Sequence, residues 1–168
     1  ELALTGGYDL LPFTDPMSGK TDKITRWGAQ TANPTTFTSW EQFWNAYVIQ
    51  TKHIIQRIVN QYEQGEALRA RFSPTPYLSC LVNGCAEKAL DVTQGGAELG
   101  FVTIEAVTYA TTVDSLLAIK YLVFDEKICT MTELVQALLD NWVGHEVLQA
   151  RAKHKAPKYG RDDEQADA

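Results

Sequence analysis

Cysteine and histidine are scarce. The 168 residues hold only Cys80, Cys85 and Cys129, with His53, His145 and His154. Three irregularly spaced cysteines cannot build a secreted disulfide framework, and the odd count fits a reducing compartment. The histidines lie far apart in sequence, so no zinc-ligand spacing exists and no metal is expected. Positive charge is also short, with 15 Lys and Arg against 21 Asp and Glu, a net charge of −6. Four of the acids, Asp162, Asp163, Glu164 and Asp167, fall in the last seven residues. Such a chain offers no basic patch, which excludes nucleic acid and anionic membranes as partners. No apolar run approaches the roughly 20 residues that span a bilayer. No charged-then-apolar leader is read at the start, so the expected location is the cytoplasm.

What is present suits one globular domain of ordinary size. Hydrophobic residues make up 45%, aromatics 10% and charged residues 21%, a balance that disordered chains lack. The first residue is Glu1, and the last stretch is charged, so the expectation is a piece of something longer.

Residues 1–38 read as irregular, punctuated by Gly6-Gly7, Pro12, Pro16, Gly19, Gly28 and Pro34. A loop this long is uncommon in a compact domain and is expected to lie across a larger body. Thr38-Ser39-Trp40-Glu41 then reads as a capping box. The apolar positions that follow, from Trp40, Phe43, Trp44 and Tyr47 to Tyr62, predict a helix that Gly65 ends. A second helix is expected over 77–90, after Pro74-Thr75-Pro76 fixes an extended entry. Beyond Gly95-Gly96, residues 99–109 are rich in Val, Ile, Thr and aromatics and predict a strand. Thr112 or Asp114 is expected to cap a helix over 114–124, apolar on nearly every face and hard to bury within 168 residues. A second capping box, Thr130-Met131-Thr132-Glu133, opens 131–143, which Gly144 stops. Arg151, Lys153 and Lys155 form a short basic stretch before Pro157.

Four places invite a chemical reading. Gly84-Cys85-Ala86-Glu87 pairs a thiol with a carboxylate, the makings of a radical or nucleophilic centre in which Glu87 moves a proton. On a continuous helix, however, residues i and i+2 face different ways. Cys85 is therefore expected to pack as a small core residue with Glu87 toward solvent. Gly95-Gly96-Ala97 lacks the strand-before, helix-after order of a phosphate cradle and reads as a helix stop with close backbone approach. His145, just after Gly144, reads as a charge on a helix dipole. Lys158 to Asp163 reads as a tight turn that starts a solvated helix.

Several stretches together resemble the glycyl radical enzymes, the pyruvate formate-lyase-like superfamily. They are Ser79-Cys80-Leu81-Val82-Asn83-Gly84-Cys85-Ala86-Glu87, then Asp91-Val92-Thr93-Gln94-Gly95-Gly96-Ala97, and Asp114-Ser115-Leu116-Leu117-Ala118-Ile119-Lys120, which continues to Val123-Phe124-Asp125. A further block runs from Ala156 to Asp163, with Arg161 where Asn is usual. Thr31-Ala32-Asn33-Pro34 stands where many members carry Thr-Gly-Asp-Pro.

The resemblance implies an α/β, helix-rich fold, part of a ten-stranded α/β barrel, with this chain supplying barrel wall and outer helices over 39–168. It implies a backbone glycine radical passed to a central cysteine, whose thiyl radical takes hydrogen from substrate. The radical-glycine loop does not occur in the sequence. The resemblance sets the catalytic-cysteine block upstream, so no catalytic residue is assigned here. Gly95, Gly96, Asp114, Ser115, Lys120, Pro157, Tyr159, Gly160 and Asp162 are family-motif positions of structural kind. If 99–109 is a barrel strand, Phe101, Thr103 and Glu105, or the alternates Val102 and Ile104, line the substrate cavity. The implied partners are a small-molecule substrate, a second copy of the full-length enzyme in a homodimer, and an activating enzyme. That activase uses S-adenosylmethionine and an iron–sulfur cluster, so this chain binds no cofactor of its own. The expected reaction is cleavage of a C–C, C–O or C–N bond. Addition of a hydrocarbon radical to fumarate is one alternative, and a non-catalytic helical scaffold is another.

Overall fold

In the computed structural model, residues 2–8 and 26–167 are described. Pro12, Pro16 and Gly19 of the irregular opening lie outside them. Seven helices occur among the described residues: α1 (Trp40–Phe72), α2 (Pro76–Ser79), α3 (Cys85–Lys88), α4 (Tyr109–Ile119), α5 (Met131–Leu139), α6 (Glu146–His154) and α7 (Glu164–Asp167). Short 3-10 turns occupy Leu2–Leu4, Pro34–Thr36 and Val92–Gln94. A single isolated bridge pairs Tyr8 with Arg26. The expected strand is not formed: 101–106 has no regular structure and α4 begins at Tyr109. A strand needs a neighbour to take its backbone hydrogen bonds, and the described residues offer this segment none. No strand of the expected α/β barrel is therefore formed among the described residues.

The chain divides into two compact units, one of Glu1–His53 with Ala106–Ala168, the other of Ile54–Glu105. The first holds an aromatic core. Phe43 and Leu122 are wholly enclosed, and Ala3, Leu4, Met131 and Leu134 are buried with them. Trp40 and Phe43 rings lie 5.5 Å apart, and each meets Phe124, at 6.0 and 6.3 Å. The spacing of positions 40, 43 and 47 puts these side chains on one stripe of α1. Trp44, on the edge of that stripe, is exposed and stacks between Trp40 and Tyr47.

Helix boundaries differ from expectation for identifiable reasons. The α1 cap sits one residue later than the expected box: Ser39 Oγ accepts from Gln42 N at 3.5 Å, and Gln42 Oε1 accepts from Thr38 N at 2.8 Å. Gly65 does not end α1. A glycine in a helix interior costs about 1 kcal/mol relative to Ala, too little to stop a run continued by Glu66, Ala67, Leu68, Arg69 and Ala70. The end comes before Pro74, which disfavours helical geometry at Ser73. The helix expected over 77–90 is two short helices, because Gly84 takes φ +92° and Ala89 φ +51°. The expected helix 114–124 begins earlier, at Tyr109, after a left-handed Thr108. It continues as a π-helical turn, Lys120–Asp125, whose closing bond runs from Glu126 N to Tyr121 O at 3.0 Å. Neither Thr112 nor Asp114 caps it.

The second box forms as read. Glu133 N donates to Thr130 Oγ1 at 3.2 Å, and Thr130 N donates to Glu133 Oε2 at 2.7 Å. Its helix stops at Leu139 rather than 143, since Asn141 and Trp142 are left-handed. The basic stretch belongs to α6. His145 stands at that helix's N-terminus, not at a C-terminus, with Nε2 3.3 Å from Asp140 Oδ2.

Candidate functional site

The segment from Thr75 to Glu98, within the second unit, folds back on itself around Cys85. Cys85 is free and only 3% exposed. It opens α3, directly after left-handed Gly84. The glycine is required there twice over. Its φ of +92° disfavours a side chain, and a Cβ would sit 2.7 Å from Glu98 N and 2.9 Å from Gly96 O. Gly96 is equally constrained, since a Cβ would lie 2.1 Å from Leu90 O. The close backbone approach read at Gly95-Gly96 is what the structure has. Asn83 O accepts from Glu98 N at 2.8 Å, and Lys88 Nζ donates to Ala97 O at 2.8 Å. These bonds hold the returning chain over the cysteine turn.

Glu87, two residues beyond the thiol, caps the helix. Its Oε2 accepts from Gly84 N at 3.0 Å, so thiol and carboxylate stand at the same end of a four-residue helix. Asp91 closes the segment. Its Oδ1 accepts from Thr93 Oγ1 at 2.7 Å and Thr93 N at 2.9 Å. Its Oδ2 accepts from Ser79 Oγ at 2.8 Å and Thr75 N at 3.0 Å. The Thr93 hydroxyl, foremost among these donors, holds the Asp91 carboxyl well below the usual carboxylate range.

Cys85 is buried and Glu87 exposed, as the sequence predicts; what differs is the unbroken helix expected over 77–90. The available signals were Asn83-Gly84, a turn pair inside an apparent helix, and Asp91-Val92-Thr93, in which a short carboxylate binds the backbone two residues on.

The other two cysteines stand differently. Cys80 is exposed. Cys129 is partly buried in the first unit, where burial pushes its thiol up. Phe101, Thr103 and Glu105 are exposed on the irregular segment, as are Val102 and Ile104. Among the motif positions, Gly95 is left-handed and closes the 3-10 turn Val92–Gln94. Asp114 Oδ1 accepts from Tyr159 N at 2.9 Å, with Lys158 Nζ 3.9 Å from Oδ2. The Tyr159 ring meets Tyr109 edge-on at 5.7 Å. Ser115 Oγ bonds back to Thr111 O at 2.7 Å, and Lys120 Nζ pairs with Asp125 at 2.9 Å. Pro157 is half-buried; Gly160 and Asp162 take left-handed turns before α7. The Asp114 and Tyr109 contacts tie the 156–163 turn to α4.

The first unit also carries a groove of about 700 Å³, lined mainly by Phe43, Tyr47, Leu116, Ile119, Leu138 and Trp142. No group of three or more metal-ligating side chains occurs among the described residues. None of their helices is long and apolar enough to cross a membrane.

The sequence matches the family model described as pyruvate formate lyase-like over residues 1–168. It is 36% identical to trans-4-hydroxy-L-proline dehydratase of Clostridioides difficile over 167 residues, 99% of this chain and 20% of that one. The solved structure of that organism's hydroxyproline dehydratase, with trans-4-hydroxy-L-proline bound, aligns with a TM-score of 0.82 over 99% of this chain and 20% of its own. Isethionate sulfite-lyase of Oleidesulfovibrio alaskensis is 41% identical over 145 residues, 84% of this chain and 17% of that one. The structure of a glycyl radical enzyme from Archaeoglobus fulgidus aligns with a TM-score of 0.79 at 33% identity, covering 99% of this chain and 19% of that one. The chain thus spans about a fifth of the length of the relatives it matches.

Proposed function

The chain belongs to the pyruvate formate lyase-like family, and from that premise we propose that it is a segment of a glycyl radical lyase or dehydratase. The whole enzyme would cleave a C–O, C–S, C–N or C–C bond of a small polar substrate. Dehydratases and a sulfite-lyase among the relatives favour elimination over addition to fumarate. Membership in an enzyme family sets the scaffold reading aside.

We assign Cys85 as the thiol that takes hydrogen from substrate, in place of a cysteine upstream. The observation that carries this is its enclosure at the start of α3, on a turn fixed by two glycines, at the helix end that the Glu87 carboxylate caps. Cys85 and Glu87 both lie in α3, and the Glu87 carboxylate reaches back to Gly84 N at the helix end where the thiol stands. In the full-length enzyme the family's glycyl radical, installed by an S-adenosylmethionine and iron–sulfur activase, supplies the unpaired electron.

This chain's part is then short. Cys85 Sγ, once relieved of its hydrogen atom, takes one from a substrate carbon. An S–H bond forms, a C–H bond breaks, and the unpaired electron moves to that carbon. Glu87 moves the proton that the departing group or the neighbouring hydroxyl exchanges. The return of hydrogen from sulfur to the product carbon restores the thiyl state. Residues 101–106, without regular structure here and carrying exposed Phe101, Val102 and Ile104, suit a barrel strand whose neighbours the rest of the enzyme provides. In that setting Phe101, Thr103 and Glu105 share the face we assign to the cavity.

The setting is a cytoplasmic, anaerobic enzyme acting as a homodimer. The test is an anaerobic assay of the activated full-length enzyme with small hydroxylated and sulfonated compounds, with and without fumarate. Release of water or sulfite with an unsaturated or carbonyl product supports the reading. A substrate–fumarate adduct, or no product from any of them, overturns it.

A further inference from the structure

Cys85 is held from both flanks, and one side chain does most of the holding. Asp91 receives hydrogen bonds from Thr75 and Ser79 before the cysteine, and from Thr93 after it. Its main chain continues the work. Asp91 O accepts from Gln94 N at 2.8 Å and Gly96 N at 3.1 Å, and Gly96 is the residue pressed against Gly84. Next to it, Leu90 N donates to the carbonyl of Cys85 itself at 3.1 Å. Ser79 Oγ adds a reciprocal tie by accepting from Val92 N at 2.9 Å. One carboxylate thus joins the two ends of the 13-residue stretch from Ser79 to Asp91, and Cys85 stands midway along it.

We infer that Asp91 is a positioning residue for hydrogen-atom transfer, setting the place of the Cys85 thiol through the Thr75–Ser79–Thr93 clamp without touching substrate. The inference rests on the reading of Cys85 as the hydrogen-abstracting thiol. Hydrogen-atom transfer is steep in donor–acceptor distance, and a misplacement of about 1 Å costs on the order of 100-fold in rate. Asparagine keeps the shape of aspartate but turns an amide NH2 toward one of the two donor pairs. Either Thr75 N and Ser79 Oγ, or Thr93 N and Oγ1, then face another donor, and that side of the clamp opens.

The experiment compares Asp91→Asn, Thr93→Val and Cys85→Ser in the activated full-length enzyme. Each is measured for glycyl radical content by electron paramagnetic resonance, kcat and KM per radical, and the deuterium isotope effect on kcat. Asp91→Asn is expected to lower kcat per radical about 10- to 100-fold. KM stays within about threefold, radical content stays near the parent's, and the isotope effect rises as hydrogen transfer becomes slower. Thr93→Val, which removes one donor only, is expected to lose several-fold in kcat in the same direction. If Asp91→Asn yields no soluble protein, Thr93→Val decides. A kcat per radical within twofold of the parent overturns the inference. So does a loss of turnover matched by an equal loss of radical content, which a merely structural role would give. Cys85→Ser separates the two levels: an active Cys85→Ser enzyme sinks the site reading and this inference with it. An inactive one beside a normal Asp91→Asn sinks this inference alone.

Discussion

Replacing Gly84 with alanine tests how tightly the cysteine turn is built. The position has φ +92° and ψ −24°, where an L-residue pays about 1–2 kcal/mol. The new Cβ would also stand 2.7 Å from Glu98 N and 2.9 Å from Gly96 O. Both are main-chain atoms, so no side-chain rotamer can yield. Glu98 N is already engaged with Asn83 O at 2.8 Å, and Gly96 is braced against Leu90. Relief by backbone shift costs about 1–3 kcal/mol, as overpacking does elsewhere. The sum is roughly 2–5 kcal/mol, or about thirty- to several-thousand-fold in a local opening equilibrium. Hydrogen exchange of the full-length enzyme, followed by mass spectrometry, reads this directly. Peptides covering 80–98 should lose protection by that factor while peptides from α5 do not change. Protection within threefold of the parent across 80–98 would refute the packing argument.

Other outcomes follow from the same geometry. Gly65→Ala, in an exposed stretch of α1 with no atom within 4 Å of the new Cβ, should strengthen local protection by about 0.5–1 kcal/mol. Thr130→Ala removes the α5 cap and should cost about 1 kcal/mol, seen as faster exchange in Met131–Leu134. Glu41, Glu133 and Glu146 have carboxyls held below the ordinary 4.5, chiefly by main-chain N–H groups of Glu41, Thr130 and Gly144 respectively. A depressed folded value makes their stabilisation complete above the ordinary value and lost as pH falls through the folded one. Helix-end protection factors, corrected for intrinsic exchange, should therefore fall below about pH 4.5, and a flat profile would contradict the caps. Leu122→Ala, at a wholly enclosed position, should cost about 2–5 kcal/mol in the first unit.

Local chemistry was the most legible part of the sequence. The Thr130–Glu133 box and the aromatic stripe of α1 follow from neighbours in sequence, and short-range rules suffice for both. What failed were judgements that depend on distant partners. Residues 99–109 have the composition of a strand, but a strand exists only beside another. Gly65 looked like a terminator, yet the strong helix formers after it outweigh one glycine. The helix expected over 77–90 runs through Gly84, whose left-handed backbone, with Gly96 and Glu98 returning against it, breaks that helix. Cys85 is buried and Glu87 exposed, as the sequence predicts, and both lie within the four-residue α3.

The central claim is that this segment carries the hydrogen-abstracting thiol. Its most direct test is turnover per glycyl radical in the activated full-length enzyme with Cys80, Cys85 and Cys129 changed one at a time to serine. The account predicts that Cys85→Ser keeps the radical signal and forms no product, while Cys80→Ser and Cys129→Ser turn over. Product formation by Cys85→Ser at a rate comparable to the parent's would contradict it.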